Sequence, residues 1–156
     1  MSSSFFDYES EGGSGAGPSQ LLPQWTAASW DVLIGYTQTL HFRAGDLVVR
    51  AGDQDTSLLI VVSGELEVRV AVSGTTRRFR LGAGSLIGEV AFFDGSTRSA
   101  DVAALEQSDL LKLSHEGFEQ FSARHPGLAR DLLADLGRIL ATRLRRSEAM
   151  ASDNRS

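Results

Sequence analysis

Between Tyr36 and Leu113 the chain is written in short runs of apolar and β-branched residues separated by glycine turns. The most regular run is "ELEVRV". Leu66, Val68 and Val70 alternate there with Glu65, Glu67 and Arg69, the period-two pattern of an antiparallel strand with one face in a core and one in water. "LVVR", "SLLIVVSG", "RRFRLG", "SADVAAL" and "DLLKL" extend the series. Turns are marked at Ala44-Gly45-Asp46, Gly52-Asp53, Ser63-Gly64, Ser73-Gly74 and Gly82-Ala83-Gly84. Strands this short and evenly spaced predict a mainly β domain, a jelly-roll-like antiparallel β-barrel.

Helices flank the strands. "TAASWDVL" offers Thr26 as a cap and Trp30, Leu33 and Ile34 at helical spacing, so a helix is predicted from about Thr26 to Gly35. A short interruption from Gly88 to about Asp94 carries helix-compatible residues. After the strands, Ser114 caps a short helix with Glu116 in its first turn, and Pro126 opens a long one. Leucines at 128, 132, 136, 140 and 144, widened by Leu133 and Ile139, give that helix an apolar face. The face must be covered by the barrel, by a second copy of the helix, or by both.

These patterns divide the chain into an N-terminal tail over 1–20, a domain over 21–147 and a C-terminal tail over 148–156. The first 20 residues have the glycine clusters and low hydrophobicity of a disordered segment. Inside them "FFDY", Phe5 to Tyr8, reads either as a leftover aromatic patch or as a short docking motif for a partner.

Composition narrows the function classes. A length of 156 residues suits one core. No apolar run approaches the roughly 20 residues of a membrane span, and the acidic, Ser/Gly-rich start is unlike a secretory leader. Zero cysteines leave no disulfide framework and no thiolate site, which fits a cytoplasmic protein. A net charge of -5 argues against general affinity for nucleic acid, which needs a basic surface. His41, His115 and His125 are scattered without metal-ligand spacing, and no Ser/His/Asp grouping is legible. No metal, no cofactor and no catalysis are therefore expected.

The chemistry concentrates in "IGEVAFFDGSTRSA", Ile87 to Ala100. One Glu and one Arg nine positions apart would ordinarily be a surface ion pair of little value. Here, however, "GEVAFFDGSTRSA" resembles the phosphate-binding cassette of the cyclic nucleotide-binding domain family, in which Gly-Glu-x-Ala precedes a short helix and a loop ending in Arg-x-Ala. "HFRAGDLVVRAGDQDTSLLIVVSGELEVRV" is similar to the first half of the same domain, and the resemblance runs from about Leu21 to Arg146. It implies a barrel with an N-terminal helix, a short cassette helix and a long C-terminal helix. The bound ligand would be cAMP or cGMP.

A cyclic phosphodiester is a monoanion, and the planar guanidinium of Arg98 offers paired donors to it. Backbone amides after Gly88 add further donors, while Gly88, Val90, Ala91 and Ala100 line an approachable backbone and Ser99 adds a hydroxyl. Glu89 would repel a phosphate but can accept a bond from a ribose 2'-hydroxyl, the role the resemblance implies. Phe92 and Phe93 read as core anchors of the short helix. Two positions depart from the family's pattern: Thr97 stands where many relatives have proline, and Asp101 brings a carboxylate next to the cassette. Asp101 is expected to point outward or to pair with a neighbouring arginine.

In the transcription-activator branch of the family a DNA-reading module follows the long helix, whereas "SEAMASDNRS" follows it here, so direct DNA binding is not expected. The resemblance puts the base-facing position near Thr142 and Arg143; the alternative for "RLRR" is simple complementation of the helix C-terminal dipole. Gly137 in mid-helix costs about 1 kcal/mol relative to Ala, which close helix–helix packing would explain. The favoured reading is a cyclic nucleotide receptor, cAMP first, that signals by moving its C-terminal helix toward a protein partner or a second subunit in a homodimer. The alternatives are a scaffold of the same fold that binds no nucleotide, or a receptor for another anion such as a cyclic dinucleotide.

Overall fold

A computed structural model describes residues 21–153; the tail over 1–20, with its Phe5–Tyr8 motif, and residues 154–156 lie outside the described residues. The elements run α1 (Ala27–Ile34), β1 (Gln38–Phe42), β2 (Leu47–Val49), β3 (Leu58–Ser63), β4 (Leu66–Val72), β5 (Thr75–Leu81), β6 (Leu86–Ile87), α2 (Glu89–Asp94), β7 (Asp101–Ala104), β8 (Ser108–Leu113), α3 (His115–Arg124) and α4 (Pro126–Asp153). Eight antiparallel strands form two four-stranded sheets, ordered β1-β8-β3-β6 and β2-β7-β4-β5, as the jelly-roll reading predicts.

The two faces of the first sheet explain its sequence. Leu59, Val61, Ile87 and Leu110 point between the sheets into a first core, with Leu66, Val68, Val70, Phe79 and Leu81 opposite. Leu58, Ile60, Leu86, Leu111 and Leu113 point the other way into a second core under the helices, closed by Leu33, Phe121, Ala129, Leu132, Leu136 and Ile139. A sheet covered on both faces needs unbroken apolar runs, hence "LLIV" in β3. The second sheet is covered on one face only, and its strand β4 alternates accordingly.

Both predicted caps are present. Thr26 Oγ1 accepts from the Ser29 amide at 3.3 Å and Ser114 Oγ from the Gly117 amide at 3.0 Å. Two features differ from the sequence reading. Strands β1 and β6 went unrecognised, because β1 is half polar and β6 has only two residues. The long helix, given an end at 147, continues to Asp153, since Glu148, Ala149, Met150 and Ala151 are helix-compatible and no Gly or Pro stops it. Leu21 and Leu22, at the predicted start of the domain, are buried in the second core.

Candidate ligand site

The cassette crosses from one core to the other. Ile87 ends β6 inside the first core, Gly88 turns the chain with φ 81°, and α2 carries Phe92 into the second core. Gly95, with φ 72°, closes α2 by donating its amide to the Ala91 carbonyl at 2.9 Å. Phe92 stacks on His115, with ring centroids 4.5 Å apart and planes 14° from parallel. Phe93 is not the second anchor its sequence suggested. A six-residue helix presents one face to the core, and Phe93, 47% exposed, lies beside Phe92 on the outer side.

Arg98 is buried at 5% exposure and held at both ends. Its amide donates to the Asp53 carbonyl at 2.7 Å, and its carbonyl accepts from the Gly52 amide at 2.8 Å, which fastens the cassette to the Gly-Asp turn after β2. Its Nη2 donates to the Ser57 carbonyl at 2.6 Å and lies 3.6 Å from the Asp55 carboxylate. The guanidinium packs against Gly88 so closely that any side chain there would overlap it. Asp55 also meets Lys112 at 3.4 Å and accepts from the Ser57 amide at 3.0 Å. Burial alone would raise the Asp55 carboxyl, but the Ser57 hydrogen bonds and the Lys112 and Arg98 charges outweigh it and hold the group below its ordinary value.

Glu89, the first residue of α2, is 1% exposed, and its Oε1 accepts from Arg143 Nη1 on α4 at 2.5 Å. Arg143 is itself 3% exposed, so this is a fully desolvated ion pair between the cassette and the long helix, 54 positions apart in sequence. Glu89 Oε2 and Arg98 Nη1 are buried side-chain atoms without a hydrogen-bond partner. One is an acceptor on the residue that follows Gly88 in sequence, the other a donor packed against Gly88 itself.

The remaining predicted positions fall as follows. Val90 is half-buried, Ala91 and Ala100 are buried, and Ser99 is exposed next to Arg98. The Thr142 hydroxyl donates back to the Arg138 carbonyl at 2.9 Å, so it is engaged within its own helix. Asp101 starts β7 opposite Arg69, and its Oδ1 accepts from the Ala51 amide at 2.8 Å, capping the end of β2. The structure therefore brings together Gly88, Glu89, Arg98 and Arg143. It adds Ser57 and Asp55, which the sequence reading missed although they directly follow the Gly52-Asp53 turn that it marked.

A cassette glycine between a buried arginine and a buried glutamate, on a jelly roll closed by a long helix, is a specific arrangement, and residues 39–125 match the family model described as "Cyclic nucleotide-binding domain". The chain belongs to the cyclic nucleotide-binding domain family. The domain is 32% identical over 120 residues to the cyclic AMP receptor protein of Thermus thermophilus, covering 76% of this chain and 54% of that protein. It superposes on the solved catabolite activator protein of Thermus thermophilus with a TM-score of 0.73 and 29% identity, covering 85% of this chain and 62% of the other. The regulatory domain of Toxoplasma gondii PKA, solved with cAMP, is 28% identical with a TM-score of 0.54, covering 62% of this chain and 38% of that one. The chain spans 27%, 20% and 54% of the length of three curated relatives. Among the described residues no helix is long and apolar enough to cross a membrane, and no cluster of three or more potential ligands could hold a metal.

Proposed function

We propose that the domain is a cAMP receptor whose occupancy is communicated through α4 to a partner. The observation that carries this reading is the pair of buried, unpartnered cassette atoms, Glu89 Oε2 and Arg98 Nη1. Each such atom costs about 1–3 kcal/mol until something satisfies it. A ligand that does both must present a hydroxyl donor to the carboxylate and an anionic oxygen to the guanidinium. A ribose 2'-hydroxyl and a cyclic phosphate on one nucleotide meet that demand. cAMP is preferred over cGMP because similar proteins are a cyclic AMP receptor protein and a regulatory domain solved with cAMP. Val90, Ala91, Ser99 and Ala100 supply the adjoining wall, and Thr142 and Arg143 face the base side.

Signal transfer is assigned to α4 because Arg143 already grips Glu89, so whatever engages the carboxylate is felt by the helix. The partner-facing surface is a stripe of exposed Leu133 and Leu144 with Gly137 and half-buried Leu140 between them. A β-carbon on Gly137 would meet nothing within 4 Å among the described residues, so none of them requires a glycine there, whereas a second helix approaching closely would. The domain is read as a cytoplasmic homodimer, non-catalytic and, at a net charge of -5, without general affinity for nucleic acid.

Isothermal calorimetry with cAMP and cGMP on the parent, Arg98→Ala and Glu89→Gln decides the ligand. Heat with cAMP that is lost in Arg98→Ala and weakened in Glu89→Gln is the expected result, and no heat with either nucleotide in the parent overturns it. Binding of a cyclic dinucleotide in their place would transfer the site to that anion. Sedimentation of the parent against Leu133→Asp/Leu144→Asp tests the dimer, which requires the parent alone to sediment as two copies.

A further inference from the structure

The ligand reading leaves one buried titratable group unused. Asp135, in the middle of α4, is 8% exposed, and both its oxygens are engaged. Oδ2 accepts from the Leu22 backbone amide at 2.6 Å, and Oδ1 from Arg138 Nε at 2.8 Å. One turn earlier, Asp131 Oδ2 accepts from Trp25 Nε1 at 3.4 Å. The two carboxylates thus hold the strap Leu21–Trp25 on the helix. Leu22 adopts φ 51°, a left-handed conformation that a leucine keeps only when its surroundings dictate it. Here they do so from two sides, since its amide is taken by Asp135 and its side chain, 1% exposed, is sunk in the second core.

Positions 131, 135, 139 and 143 follow one another at four-residue steps, so they form one ridge along α4. The last three are 8%, 1% and 3% exposed. The ridge therefore grips the N-terminal strap at Asp135, the second core at Ile139 and the cassette at Arg143. Asp135 and Arg143 are separated along the axis by about 12 Å. A rotation of the helix large enough to withdraw Arg143 from Glu89 also swings Asp135 away from Leu22. We infer that Asp135 is a positioning residue for the ligand site: by fastening the strap to α4 it sets the helix rotation that delivers Arg143 to Glu89. The strap, and with it the start of the domain, is then mechanically linked to the cassette through one helix.

The coupling itself can be read without any nucleotide, although its importance for binding rests on the cAMP reading. Amide hydrogen exchange is measured on the full chain, parent and Glu89→Gln/Arg143→Met, which removes the grip of α4 on the cassette without leaving a buried unpaired charge. Among the described residues the strap is bonded to Asp135 and Asp131 and Arg143 is paired with Glu89, yet exchange at Leu22 is expected to rise at least tenfold while the β3 and β4 amides keep their protection. Unchanged Leu22 exchange with an intact barrel overturns the inference. If barrel protection also collapses, Glu89→Gln/Arg143→Leu, which likewise removes the pair with no buried charge left over, is judged by the same two readouts. A second arm uses cAMP affinity in Asp135→Asn, Arg143→Met and the double variant. Each single change is expected to weaken binding severalfold and the double no more than the worse single; additive effects count against the linkage. Absence of cAMP binding in the parent would overturn the ligand reading while leaving the exchange result to decide this one.

Discussion

Replacing Gly88 by alanine is the sharpest single perturbation of the site. Two costs combine. Gly88 has φ 81°, and an L-residue held in the left-handed region costs about 1–2 kcal/mol. The new β-carbon would also overlap Arg98 Nη1, lie 2.9 Å from its Cζ and 3.1 Å from the Ser57 carbonyl oxygen. The backbone of Arg98 cannot retreat, because its amide and carbonyl are tied to Asp53 and Gly52. The guanidinium must therefore swing off the Ser57 carbonyl, losing a charge-assisted bond worth about 1.5–3 kcal/mol. The sum is about 2.5–5 kcal/mol, to be measured as the loss in urea unfolding free energy monitored through Trp25 and Trp30. Because the displaced guanidinium is the proposed anion partner, cAMP affinity should fall about ten- to hundredfold at 1.4 kcal/mol per decade. A Gly88→Ala protein within about 1 kcal/mol of the parent and with unchanged affinity would refute the close packing of Arg98 on Gly88.

Three further outcomes follow from the same geometry. Removing Arg143 alone (Arg143→Met) leaves Glu89 charged and buried and should cost about 3–5 kcal/mol, while Glu89→Gln/Arg143→Met should recover most of it; denaturant melts of the four proteins give the coupling. Asp55 has a lowered pKa, so its contribution to stability is complete above the ordinary value of 3.8 and is lost as pH falls through the lower folded value. Parent and Asp55→Asn should thus differ by a constant amount near neutrality and converge in acid, and a gap that widens on acidification would reverse the sign. Gly137→Ala should raise the unfolding free energy of α4 by about 1 kcal/mol where the stripe faces water, and should weaken self-association where a second helix lies against it, which sedimentation and thermal melts together separate.

Local rules made much of this fold legible. The alternation at Leu66, Val68 and Val70, the caps at Thr26 and Ser114, and the glycine-bounded cassette helix are each set within a few residues, and each lies where its pattern places it. Partnerships across the chain were not legible. Nothing local to "RLRR" says that Arg143 reaches back to Glu89, since that contact depends on how α4 lies across the second core. Asp135 left a signal that went unused: it falls on the apolar face between Leu132 and Ile139, where a carboxylate must find a donor. Asp101 shows the reverse. Its carboxylate beside the cassette departs from the family's pattern and is expected from sequence to point outward or to meet an arginine, yet it is spent on the Ala51 amide, a backbone need that composition cannot reveal.

The crossing of the cassette between two cores has a further consequence. Ile87 is packed in the sandwich and Phe92, five residues on, under the helices, so the segment carrying Glu89 is seated in two separately packed compartments. Close-packed interiors transmit changes of volume instead of absorbing them. The cassette therefore acts as a gauge of both compartments, and a methyl group lost from either, far from any ligand atom, is registered as a change in the spacing between a carboxylate and a guanidinium.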